Sequence, residues 1–247
     1  MIMRRILCAL LLLLPAAAWS QGSDPSDMDP QATWLLKQMA TQLGAAEQLM
    51  FRIEVSSDEL TDDGRAVQLS HTMDVALRRN DRLLAISRGD DGHKEFRFDG
   101  RMAILYHASY GYYSTTLARQ TVDGTLDFMA DQYGFVIGIS DFLAEDPYAS
   151  MMDGVTVASY EGTSEIRGVT CHQLSFGQDD VDWQVWLEEG RRHQPRKLVM
   201  TYKNEEGWPQ YTAFFSDWNF AAQLPDELFT FDSPPTAKKI DFHKPDE

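Results

Sequence analysis

Over most of its length the chain alternates apolar and polar side chains, segment after segment, with turn residues between. In FRIEV, residues 51–55, Phe51, Ile53 and Val55 alternate with Arg52 and Glu54. In AVQLSHTMDVAL, residues 66–77, Val67, Leu69, Met73, Val75 and Leu77 share one parity. DRLLAIS, HKEFRF and RMAILYH come next, separated by Asn80-Asp81, Gly89 to Gly92, and Asp99-Gly100. Side chains two apart lie on one face of a strand, and Asp-Gly between alternating runs marks a hairpin. Residues 48–118 therefore read as an antiparallel meander.

A second set of strands comes later: VTVASYEG, EIRGVTCHQLSF, DVDWQVWLEE, RKLVMTY and PQYTAFFSDW. In 181–187, Val181, Trp183, Val185 and Leu187 point one way, and Asp182, Gln184 and Trp186 the other. Trp186 is the oddity on that wetter face, with Trp218 a second; such aromatics are expected to pack under a helix or loop. The next strands continue the apolar face with Leu198, Met200 and Tyr202, then Tyr211, Ala213 and Phe215.

Helical spacing appears in three places. Ala32, Leu35, Leu36, Met39 and Leu43 recur after Asp29-Pro30, a cap followed by a first-turn proline, and stop at Gly44. Val122, Leu126, Met129, Ala130 and Tyr133 recur up to Gly134. A short helix is expected from Ser140, and another in PYASMM behind Asp146. The tail shows a helical turn at 225–229 and an extended end near Phe231.

These elements define a mainly β, α+β architecture. A single large curved antiparallel sheet forms an open half-barrel, and helices at 30–43 and 122–152 cover its concave face. Incomplete packing there leaves a cavity. The candidate lining is Trp183, Val185, Met200, Tyr202, Phe128 and Met129; a filled core is the competing expectation.

Residues 1–20 have a basic start, an apolar run from Ile6 to Leu14, and small residues before Gln21. This is the layout of a cleaved export signal. An uncleaved anchor is the rival reading, but the run is short of the ~20 residues of a spanning helix. Residues 21–29 read as a disordered linker and 30–247 as one β-rich domain, in the periplasm and not membrane-spanning. The net charge of −16 argues against a nucleic-acid partner. Cleavage removes Cys8 and leaves Cys171 alone, with no internal disulfide possible. A buried, inert thiol is the expectation.

DWQVWLEEG followed by PRKLVMTY, G-x-PQY, F-x-x-W and F-x-F-x-x-PP resembles an uncharacterised bacterial family of predicted periplasmic proteins. YEGTSEIRGVTCHQLSF, EFRFDGR and DPYASMM carry the same resemblance, which covers residues 30–243. The chain departs from that pattern after Gly190, where Arg191-Arg192-His193 replaces an acidic residue. The family is similar in fold to the LolA/LolB lipoprotein carriers and insertases. The resemblance implies an open sheet with a helical lid and an acyl-chain or lipoprotein ligand.

The sequence holds no G-x-S-x-G, H-E-x-x-H, C-x-x-C or phosphate-cradling glycine loop, and no catalytic residue, metal site or cofactor is assigned. Cys171 and His172 face opposite sides of a strand and cannot form a dyad. Asp179, Asp180 and Asp182 lack the glycine and distal glutamate of a calcium loop and read as a solvated turn. His71, between Leu69 and Met73, reads as a buried, hydrogen-bonded core histidine. Arg191 and Arg192, with Arg196 and Lys197 nearby, could dock an acidic partner or form a plain hairpin tip. Two functions are expected: a carrier of a lipid acyl chain or lipoprotein, or a structural, partner-binding envelope protein with a filled core.

Overall fold

The computed structural model describes residues 27–61 and 63–243. The expected signal peptide, and the linker up to Ser26, lie outside them. Met28 already bridges to Ala158, and the Asp29 N–H donates to the Ala158 carbonyl at 2.9 Å. The end of the expected linker is thus tied to the sheet.

The elements run α1 (Pro30–Ala45), β1 (Gln48–Leu60), β2 (Ala66–Arg78), β3 (Arg82–Gly89), β4 (Gly92–Phe98), β5 (Met102–His107) and β6 (Tyr112–Leu117). Next come α2 (Val122–Tyr133), α3 (Ser140–Leu143) and α4 (Pro147–Met152). The chain then forms β7 (Val157–Ile166), β8 (Val169–Gly177), β9 (Val181–Glu188), β10 (Pro195–Tyr202) and β11 (Gln210–Asn219). A 3-10 turn at Asp226–Leu228 and the short β12 (Lys238–Lys239) close it.

All 12 strands belong to one sheet, ordered β12-β6-β5-β4-β3-β2-β1-β11-β10-β9-β8-β7. Every neighbour is antiparallel except β12 on β6. The first meander grows outward from β1 to one edge, and the second starts at the other edge and returns to pair β11 with β1. This order dictates where the helices go. β6 and β7 are ten strand spacings apart, about 48 Å in a flat sheet. Residues 118–156 must bridge that distance, so they cross a face of the sheet and cover it.

The covered face carries the main core. Leu36, Met39 and Leu43 of α1 and Met129 of α2 meet Ile53, Leu77, Leu83, Phe98, Leu174, Val185 and Leu187 from the strands. Local signals start and stop the helices. The Asp29 carboxylate accepts from the Gln31 and Ala32 N–H groups, and Thr121 Oγ1 accepts from Gly124 N. Gly134, at φ 64°, ends α2 in the left-handed conformation that glycine takes without strain.

The cover is uneven. α1 packs on α3, α4, β7 and β8, so that half of the sheet lies under several helices. Across β2–β5 the crossing chain is the non-helical segment 134–138.

Three sequence expectations change here. EIRGVTCHQLSF is two strands: Arg167 (φ 51°) and Gly168 (φ 82°) turn β7 into β8. Two successive left-handed residues make the tight hairpin turn, with arginine where asparagine or aspartate is usual. Trp186 lies under neither helix nor loop. It packs on the outer face with Cys171 and Val199, and the Lys197 ammonium stands 4.4 Å from its ring centroid. Trp218 is not on the wet face. Asp217, at φ 56°, is an extra residue opposite β1, and this bulge flips the parity of the rest of β11. Trp218 therefore stacks on Phe51 at 4.4 Å and its Nε1 donates to the Pro195 carbonyl at 3.1 Å.

The tail has the expected helical turn and extended end, and it wraps the sheet. Leu224 and Phe229 cover Ala76 and Leu84 on the outer face, where Arg97 donates to the Leu228 carbonyl at 2.6 Å. Phe231 then meets Tyr106 and Tyr113, β12 pairs along β6, and Phe242 stacks on Tyr133 at 4.6 Å. One exposed sheet edge is closed in this way.

Candidate functional site

Where the cover is thin, a cavity of about 380 Å³ lies between β2–β5 and residues 134–138, with Tyr211 of β11 in its wall. Strand register grades its floor. Val75, Ala85, Phe96 and Leu105 are cross-strand neighbours in an apolar row, and the last three line the cavity. Two residues nearer the rim, the same strands place Met73, Ser87, Lys94 and His107 in a second row. Beyond that stand His71 and, on the β3–β4 turn, Asp91.

The roof is Phe135-Val136-Ile137 between two glycines. Phe135 stacks on Phe96 at 5.0 Å, and Ile137 is buried. Gly138 lies so close to Tyr211 that a Cβ there would sit 2.9 Å from ring carbons. Only glycine lets the segment pass under that ring.

The polar rim is held electrostatically. Lys94 Nζ donates to Asp91 Oδ2 at 2.5 Å. Burial pushes the Asp91 carboxyl up, but the hydrogen bond and charge of Lys94 outweigh it and hold the group below the usual carboxylate range. Burial lowers the His71 pKa, with Asp91 opposing; burial and then Lys94 lower that of His107. Asp91 Oδ1 and His107 Nδ1 are buried without a partner. His71 is half-buried, and among the described residues no hydrogen bond satisfies its ring. The expected hydrogen-bonded core histidine is instead part of a cavity wall.

The six residues expected to line one cavity are spread over four settings. Trp183 and Met200, cross-strand partners, line a second hollow of about 150 Å³ beside Phe142 and Met151. Val185 and Met129 are fully buried in packed core. Tyr202 is half-buried opposite Val181 and lines neither hollow, and burial raises its phenol pKa. Phe128 packs edge-on to Tyr133 under the Arg119 guanidinium. The strand parity of the larger cavity is nevertheless visible in the sequence: three strands each end an apolar alternation with a basic residue, in Met73/His71, Phe96/Lys94 and Leu105/His107.

A family model for predicted periplasmic proteins, DUF2092, matches residues 32–243. The chain belongs to that family. None of the curated proteins matches it. Among solved structures, this DUF2092 chain is similar to the lipoprotein LppX of Mycobacterium tuberculosis, at 13% identity and TM-score 0.49, over 80% of this chain and 100% of that one. An uncharacterised conserved protein of Thermus thermophilus gives 7% identity and TM-score 0.49, over 85% and 99%. A LolA superfamily protein of Nitrosomonas europaea gives 10% identity and TM-score 0.39, over 81% and 97%.

Other reactive groups of this DUF2092 protein lie away from the cavity. Cys171 is on the outer face, fully buried, and burial pushes its thiol up to about 11. His172, on the opposite face, shares a 3.0 Å hydrogen bond between Nδ1 and Tyr160 OH. Asp182 pairs with Lys203 at 2.8 Å. Among the described residues no three His, Cys, Asp or Glu side chains gather to hold a metal, and no helix is long and apolar enough to cross a membrane.

Proposed function

We propose that this protein is a periplasmic, non-catalytic carrier that holds an apolar ligand, such as a lipid acyl chain, in the β2–β5 cavity. The cavity carries this reading: its volume falls within the ~300–1,000 Å³ of small-molecule sites, and its inner wall is apolar. Met73, Phe96, Leu105, Phe135 and Ile137 supply flexible and aromatic contacts suited to a chain. Trp183 and Met200 form a smaller annex across Gly138, which lines both hollows. Native mass spectrometry of the purified protein and displacement of a fluorescent fatty acid test the reading. Co-purified lipid and saturable displacement are the expected results; neither lipid nor probe binding removes it.

The second reading is a partner-binding envelope protein, and the exposed β9–β10 turn favours it. Arg191 and Arg192 make no ion pair among the described residues, whereas Arg196 is held by Glu188. Charge reversal at both arginines tests this: partners unchanged in pull-down exclude the turn.

A further inference from the structure

We propose that the cavity receives a single alkyl chain ending in an anionic head group, a carboxylate or a phosphate, with the head at Lys94, His107 and His71 and the chain beneath Phe135–Ile137. The assignment rests on the carrier reading and adds the chemical class of the ligand.

Three observations carry it. The first is the direction of polarity. The inner row is Ala85, Phe96 and Leu105, the next holds Ser87, Lys94 and His107, and His71 and Asp91 stand beyond. A wholly apolar ligand filling this space would strip water from an ammonium and two imidazoles without replacing it, which is unfavourable. An amphiphile meets both ends.

The second is the balance of donors. In a chain of net charge −16, the cavity wall presents the Lys94 ammonium and the neutral imidazoles of His71 and His107 against one carboxylate, Asp91. Asp90, nearby, is engaged: its Oδ2 accepts from Ser70 N at 2.8 Å. His93, Glu95 and Arg97 have the opposite strand parity to Lys94; Glu95 pairs with Arg97 at 2.8 Å, and His93 Nε2 lies 3.3 Å from Glu95 without a hydrogen bond. The roof, residues 134–138, brings no charge, and Tyr211 is kept neutral by a phenol pKa that burial raises. An incoming anion therefore finds donors on three strands and one competing acid.

The third is that the cluster does not close on itself. Lys94 satisfies one oxygen of Asp91, while Asp91 Oδ1 and His107 Nδ1 are buried without partners. Such groups are uncommon in a finished core, and of the two it is the His107 ring that can donate to an anionic oxygen. The volume limits that molecule: about 380 Å³, near the lower bound of ligand pockets, accommodates one chain and not several side by side.

The test uses the full chain and three ligands with one chain length: dodecanoate, dodecanoyl lysophosphatidate and dodecanol delivered from cyclodextrin. Displacement titrations at pH 7 are expected to show at least one acid binding about ten-fold tighter than the alcohol, as charge-assisted hydrogen bonds require. Whichever acid binds more tightly identifies the head group. Lys94→Met is expected to remove most of that preference, read as the ratio of acid to alcohol affinity in the same variant. His107→Gln, checked for folding by circular dichroism, is expected to reduce it in the same direction. Equal binding of acid and alcohol, or a preference untouched by Lys94→Met, overturns the head-group assignment and leaves the carrier standing. Failure of all three ligands to bind overturns the carrier reading itself.

Discussion

His71, His107 and His193 are each partly withdrawn from water, and burial lowers the pKa of all three. Their ordinary value is about 6.5. A histidine whose pKa is lower in the folded state favours folding above the unfolded value, and that contribution fades as pH falls through the window below it. Stability in urea should therefore drop between pH 7 and pH 5, before the low-lying carboxylates Glu54, Asp63, Asp91 and Asp226 titrate. His71→Gln with His107→Gln should flatten the dependence; an unchanged slope means that these two rings are solvated. Cys171 gives a second residue-scale check. With its thiol near 11 and no exposure, it should react negligibly with an aromatic disulfide at pH 8 in the native state and rapidly in urea. Fast native labelling places the thiol at the surface.

Between α2 and α3, five residues form the roof, and the two glycines define its path. Gly138→Ala forces a methyl toward the Tyr211 ring, at 2.9 Å from its carbons. Overpacking of that kind costs about 1–3 kcal/mol. Thermal unfolding should show the loss, and fluorescent fatty-acid binding should weaken with it; full stability and full binding mean that the roof is loose. Elements of this kind are the least legible in the sequence. The hairpin at Asp99-Gly100 and the caps at Asp29, Asp146 and Gly134 can be read because each rests on residues adjacent in the chain. Arg167-Gly168 escapes because arginine is an unusual left-handed residue, and the Asp217 bulge because one extra residue reverses parity without altering composition. Two-residue β12 leaves no periodic signal at all. The cavity floor is encoded in the alternation of β2, β4 and β5, but which segment roofs it depends on the path from β6 to β7, a long-range fact. The choice of Trp183, Val185 and Met129 favours the greasiest residues; Val185 and Met129 fill core, and Trp183 lies outside the β2–β5 cavity.

At the scale of the molecule, two meanders from opposite ends of the chain meet at the β1–β11 seam. Phe51, Phe215 and Trp218 stack across it, with Phe51 4.4 Å from Trp218 and 6.1 Å from Phe215. Phe51→Ala should cost about 3–5 kcal/mol. Because the seam joins both halves, tryptophan fluorescence, reporting mainly on β9–β11, and far-ultraviolet circular dichroism should still give one coincident urea transition at a lower midpoint. Separate transitions would make the two meanders independent units.

The helices complete the same design: α1, with α3 and α4 against it, covers the β7–β8 side, and over the β2–β5 cavity the cover is residues 134–138. The central claim is that an alkyl chain occupies the space so left. Crystals grown with a fatty acid brominated at its chain terminus test it most directly. Anomalous bromine density between Phe96, Leu105 and Ile137 is the result predicted. Bromine found only on the outer face, or a closed cavity with Phe135 collapsed onto β3 and no ligand density, contradicts it.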